Sequence, residues 1–204
     1  MRAQETQISV ALSDDRGYYP QEVWDLCIDH LDMYTEEILD ELGSIAWAEG
    51  NQYPNNSSIA ATTGQLNWGA SGSYSEILMQ VSTGTAGGVG ATAIAAAIKV
   101  AYEKIKSRAR VGAVWDNFPS ADQAEAVAKS RLHQHYGVMI EKLTVTRSDV
   151  NTETRRYELE LRHEDGRTFG AVFGAIESMP SCTRIWADGE PMLRPEPTLP
   201  EQGN

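Results

Sequence analysis

The apolar positions of this chain change their period along its length. Gln7–Leu12 alternates Ile8, Val10 and Leu12 with Gln7, Ser9 and Ala11, the period of two that marks a half-buried strand. Pro20 then stands where a helix can open, because its fixed φ and missing N–H suit a first turn. Val23, Leu26, Cys27, Leu31, Tyr34, Ile38 and Leu42 recur at spacings of three and four before Gly43. That spacing predicts one amphipathic helix over residues 20–42 with a glycine stop. Its opposite side carries Glu22, Asp25, Asp29, Asp32, Glu36, Glu37, Asp40 and Glu41. A solvated face is the ordinary reading, with a docking face for a cation or a basic partner as the sharper one.

Residues 45–64 are mixed, with Ile45, Trp47 and Tyr53 as apolar anchors and turn chemistry over Asn51–Ser58. The centre of the chain, Ile77–Ile98, is 22 residues long and has no charged side chain. Gly84, Gly87, Gly88 and Gly90 fall inside it, and Ile94 and Ile98 follow at helical spacing. Its beginning, from Ser73 to Val81, reads either as helix or as a strand running into a glycine loop. From Ala91 to Arg110 the helical spacing is firm, and Lys99, Lys104, Lys106, Arg108 and Arg110 form a basic flank at its end. The length suits a bilayer span, and Gly84/Gly88 and Ala86/Gly90 are small pairs that let helices approach closely. Gln80, Ser82, Thr83, Thr85 and Thr92 dilute the apolarity, which favours packing against protein over insertion. Gly87–Thr92 also approaches a phosphate loop, but Ala91 stands where the lysine is required.

Past residue 113, Ser120 and Gln123 form a capping-box pattern before Ala124, Val127, Ala128, Leu132 and Tyr136, with Gly137 as the stop. Three strands follow at 138–147, 155–163 and 167–175, with a fourth candidate at 183–187. Tyr157, Leu159 and Leu161 alternate with Glu158, Glu160 and Arg162, and Asp165–Gly166 marks a hairpin turn. The expected fold is α+β. It has an N-terminal strand–helix unit, a central glycine-rich apolar helix, and a C-terminal helix plus a three- to four-stranded antiparallel sheet. The expected division is 1–112, 113–190 and a proline-rich tail over 191–204.

Composition narrows the function more than the motifs do. The chain has 204 residues, 41% hydrophobic and 23% charged, within the globular range. A net charge of −12 argues against nucleic acid, which needs a clustered basic surface. Cys27 and Cys182 leave one disulfide open, with two reduced thiols of a cytoplasmic protein as the ordinary reading, since the N-terminus has no signal region. Peripheral or inner-membrane association is the variant of that placement. His133 and His135 with His163 invite a metal reading, but residues two apart on a helix diverge. No catalytic, cofactor or metal residue is assigned.

The order of Ile8–Leu12, Pro20–Leu42, and Gly69–Gly72 through the glycine run to Lys106–Arg110 resembles the effector-associated constant components of bacterial conflict systems. That likeness covers residues 7–110 and implies a non-enzymatic adaptor. The C-terminal layout is similar to a cystatin or PepSY-type module. The expected function is therefore an adaptor or assembly protein of a bacterial defence system. It would use Gly84, Gly87, Gly88, Gly90, Ile94 and Ile98, with the basic flank, for self-association, contact with another protein, or membrane contact. A pore-forming effector and a small enzyme of unspecified reaction are the alternatives.

Overall fold

The computed structural model describes residues 5–13, 18–29, 31–48, 53–66, 72–83, 89–109, 119–177 and 179–189. Eight strands form one mixed sheet: β1 Glu5–Ser13, β2 Glu22–Asp29, β3 Ser57–Leu66, β4 Gly72–Ser82, β5 Leu143–Asn151, β6 Arg156–His163, β7 Thr168–Phe173 and β8 Cys182–Ala187. Their spatial order is β3-β4-β1-β2-β8-β7-β6-β5. Only β1 and β4 pair in parallel; every other neighbour is antiparallel. Three α-helices complete the described chain: α1 Thr35–Gly43, α2 Val89–Ser107 and α3 Ala121–Tyr136.

The sheet is covered unevenly. On its first face, Ile8, Val10 and Leu12 of β1, Trp24, Leu26 and Ile28 of β2, and Ile77, Met79 and Val81 of β4 pack under α1 and α2. On its second face, Ala11, Val23, Leu159, Leu161, Phe169, Ala171 and Ile185 pack under α3 with Ala124, Ala128, Leu132 and Tyr136. The helices therefore lie on opposite sides of the two halves. The inner strands β1 and β2 are buried on both faces, as is β7 from Phe169 to Phe173, whereas β3 and most of β5 are exposed.

This arrangement overturns the expected fold class. The C-terminal meander is not a separate three- to four-stranded sheet, because β8 pairs with β2 and joins it to the N-terminal strands. The single helix expected over 20–42 is a strand followed by a short helix. In β2, Val23, Trp24, Asp25 and Leu26 are all buried. An inner strand needs apolar residues on both sides, and such a run can be fitted equally by helical spacing. The central apolar stretch is likewise not one helix. Ile77–Ser82 belongs to β4, and helix begins again only at Val89. Of the two readings for residues 73–81, the strand is the one that forms.

Other expectations hold. β1 forms as a strand, buried on both faces where a half-buried one was expected, and the alternation in β6 is as read. Ser120 accepts from the Gln123 amide, and the Gln123 side chain accepts from the Ser120 amide, so α3 opens with a reciprocal cap. Gly137 closes it at φ 65°, where a side chain would be strained. Among the apolar anchors named in residues 45–64, Ile45 is fully buried, but Trp47 and Tyr53 are exposed. The proline-rich tail lies outside the described residues.

Candidate functional site

Several residues expected to form an interaction surface are used inside the molecule. Ile94 and Ile98 of α2 are 1% and 0% exposed and sit in the core between α2 and the sheet. Gly90 falls in the first turn of α2, whereas Gly84, Gly87, Gly88 and Arg110 lie outside the described residues. The basic flank turns back onto the acidic helix α1. Lys104 Nζ is 3.0 Å from Glu41 Oε2, and Arg108 Nη2 is 3.6 Å from Glu37 Oε1. Arg108 also donates to the Asp32 carbonyl at 3.2 Å, and Lys99 lies 3.9 Å from Glu103. The docking partner of the acidic helix is thus in large part the chain's own second helix. No described helix is long and apolar enough to cross a membrane.

Two chemical constellations that sequence reasoning did not assemble come together through the sheet register. The first is buried between β2 and α3. Asp25, 1% exposed, accepts a hydrogen bond from the Ser9 hydroxyl on β1. His135 Nε2 lies 3.3 Å from Asp25 Oδ2 and Arg131 Nε lies 3.8 Å from it. The Arg131 guanidinium also donates to Cys27 Sγ at 3.0 Å. These are the types found in hydrolase triads, but the order is wrong. Ser9 donates to the carboxylate, not to the imidazole, so no base is set to take its proton. His135 stands at ion-pair distance from Asp25 without hydrogen-bond alignment. The cluster is best understood as the polar pin that fixes α3 over the inner strands. Asp25 was expected on a solvated helix face, and its strand position instead aims it inward.

His133 points away from that cluster, with Nδ1 2.8 Å from the Val138 carbonyl oxygen. Among the described residues no group of three His, Cys, Asp or Glu side chains is placed to hold a metal ion. Cys27 and Cys182 sit on neighbouring strands, where Leu26 pairs with Cys182. Successive residues point to opposite faces, so the two sulfurs lie on opposite sides of the sheet and do not form a disulfide. Burial pushes the Cys182 thiol far above its ordinary pKa, which keeps it protonated and unreactive.

The second constellation is on the first face of β5–β8, over which no described helix packs. Trp24 of β2, at the border of the helix-covered half, forms a ladder with Arg184 and Trp186 of β8. The Arg184 guanidinium carbon lies 5.4 Å from the Trp24 ring centroid and 5.0 Å from that of Trp186. Arg184 is held by Glu22 at 2.7 Å, and the Trp24 indole N–H donates to the same carboxylate. Beyond the ladder, Trp186 lies flat over Gly170. A Cβ on Gly170 would stand 2.0 Å from Trp186 Cζ2, so only glycine leaves room for the indole. The Trp186 Nε1 hydrogen is directed to Asp188 at 2.9 Å, which fixes the ring orientation.

Next to this ring is a shallow cavity of about 140 Å³, lined by Arg147, Asp149, Glu158, Glu160, Gly170, Trp186 and Asp188, with Leu159 beneath. Four carboxylates and one guanidinium therefore surround an indole. Arg147 is already paired with Asp149, two residues on along the same face of β5, and Arg156 lies 3.6 Å from Glu158. The outward positions of β6 were legible in its alternation. Their meeting with Trp186 and Asp149 was not, because register across three strands has no local signature. Compared with family models, curated proteins and solved structures, the chain matches none of them.

Proposed function

We propose that this protein is a non-enzymatic adaptor that docks a basic segment of a partner protein on the uncovered face of β5–β8. The observation that carries the reading is the acid-lined cavity floored by Trp186. An indole face and carboxylates both attract cations, the ring through its quadrupole and the acids through their charge. Magnitude selects the kind of ligand. An exposed cation–π contact supplies about 0.5–1 kcal/mol and each exposed ion pair about 0.2–1. One small cation would then bind only in the millimolar range, at roughly 4 kcal/mol. Asp149, Glu158, Glu160 and Asp188 are distributed from β5 to the end of β8, a width of about 14 Å at ordinary strand spacing. A segment carrying several Lys or Arg residues reaches all of them at once. The cavity is below the size of a usual cofactor pocket and accepts a single ammonium or guanidinium head. An adaptor role is also what the resemblance of residues 7–110 implies.

Fluorescence anisotropy with a labelled oligoarginine peptide tests this directly. Trp186→Ala should weaken binding about tenfold, equivalent to about 1.4 kcal/mol, and Glu158→Lys with Glu160→Lys should abolish it. Reversing the same number of charges on α1, Glu36→Lys with Asp40→Lys, should leave binding within about twofold. Equal losses from the two reversals would show that net charge alone attracts the peptide, and the docking-face reading would fall.

A further inference from the structure

The sheet ends differently at its two edges, and the N-terminal edge is unprotected. β3, Ser57–Leu66, pairs with β4 through ten consecutive registered residues without a bulge. Among the described residues no strand pairs with its other side. Its sequence, SSIAATTGQL, contains no charge and no proline. Ser57, Ser58, Ile59, Ala60, Ala61 and Thr62 are all exposed. A long, flat, uncharged edge strand presents a row of backbone donors and acceptors that another strand can complete. Natural edges are usually blunted by charge, proline or a bulge, and β3 has none of these.

We infer that β3 is a self-pairing edge, where a second copy of this chain adds its own β3 antiparallel to make a continuous sixteen-stranded sheet. Charge selects the occupant. Two molecules of net charge −12 repel at most surfaces, and β3 is the edge at which no like charges meet. Symmetry agrees with the composition. A twofold axis perpendicular to the sheet keeps each face continuous, so residues of the same parity meet. Centring the pair on Ala60 sets Ile59 opposite Ala61 of the second copy and Ser58 opposite Thr62. Small and polar residues fit such close cross-strand positions without clash. Centred there, residues 57–63 of the two copies overlap, and the ladder supplies about seven backbone hydrogen bonds. The inference is independent of the basic partner, since it uses the opposite end of the sheet.

Analytical ultracentrifugation of the full chain over a concentration series is the test. The wild-type chain should sediment as a dimer. Ala60→Lys with Ala61→Lys places like charges opposite each other at the centre of the pair, and should yield a monomer at the same concentrations with an unchanged circular dichroism spectrum. Val150→Lys on the far edge should remain dimeric. Hydrogen exchange on the wild-type chain gives a second readout that needs no variant: amide protection in 57–66 should fall on dilution. A wild-type monomer at all concentrations, or a dimer that survives both lysines on β3, would overturn the inference. So would β3 protection that is independent of concentration.

Discussion

The two halves of the sheet are built alike and finished oppositely. Under α2, β4, β1 and β2 present aliphatic residues, and the helix is anchored by Tyr102, which is fully buried and donates to the Trp24 carbonyl at 2.7 Å. Under α3, β6 and β7 add the aromatic residues Tyr157, Phe169 and Phe173, with Phe169 and Tyr136 in contact at 5.4 Å between ring centroids. Each half leaves its other face to a different fate. The far side of β3 and β4 exposes Ser58, Ala60 and Gln80, with Glu76 the one carboxylate among the described positions there. The far side of β5–β8 gathers carboxylates around an indole. A sheet with one helix layer per half need not be completed by a second layer. The exposed side is where sequence is released from packing and becomes available for recognition.

The edges repeat the contrast. β5 carries Arg147 and Asp149 and a register shift between Val145 and Arg147, the devices that keep an edge from pairing. β3 carries neither. One edge thus carries the devices that discourage pairing and the other carries none.

The sharpest way to break the comparison is to empty each half in turn. Phe169→Ala removes the largest buried ring under α3 and should cost about 3–5 kcal/mol, and Ile98→Ala under α2 about 2–5. Because β2 and β8 are paired, each variant should unfold in urea as a single shifted transition. Two separate transitions would show that the halves are independent, and the one-sheet argument would fail. Next in size is Asp25→Ala, which leaves Arg131 and His135 facing an apolar gap. A loss of about 3 kcal/mol is expected, because an uncompensated buried charge is costly. A loss below about 1 kcal/mol would mean that the cluster is solvated and does not pin α3.

Tyr102→Phe is a smaller probe of the same contrast. It deletes only the hydroxyl that links α2 to β2, and about 1 kcal/mol should be lost in denaturant titration. Burial raises the Tyr102 pKa well above its usual value. Phenolate absorbance should therefore miss this residue until the protein unfolds in alkali. The smallest expected effect is at the β6–β7 hairpin. The Arg167 side-chain hydrogen bond holds the Asp165 carboxyl well below the usual carboxylate range, with the Arg167 amide and His163 adding to it. A depressed folded pKa contributes stability that is present above the unfolded value, near 4, and is lost as pH falls through the lowered one. Asp165→Asn should thus be slightly less stable than the wild-type chain at neutral pH. The difference should close as pH falls below about 4. A gap that widens in acid would reverse the assignment.

What was legible followed from local physics. The Ser120 cap, the Gly137 stop, the Asp165–Gly166 turn and the alternation of β6 each depend on residues near one another in the chain. β3 was missed because an edge strand exposed on both faces has no reason to alternate. β2 was misread as helix because an inner strand has no reason to alternate either. The candidate face was half visible. Glu158 and Glu160 could be placed outward from β6 alone, whereas Trp186 and Gly170 meet only through the β7–β8 register.

The sequence by itself determined an acidic α+β chain, its C-terminal helix and meander, and the helix that ends in lysine and arginine. It also determined that β3 would carry no charge, although not that β3 would be a strand. Only the tertiary structure decided that β8 docks on β2, that α2 and α3 take opposite faces, and that Asp25 points inward. Those outcomes rest on contacts between residues far apart in the chain, such as Tyr102 with Trp24 and Leu26 with Cys182. Side-chain period sets which residues share a face, but not which strand lies beside which, and that choice is made by how the whole set of apolar faces can be buried at once.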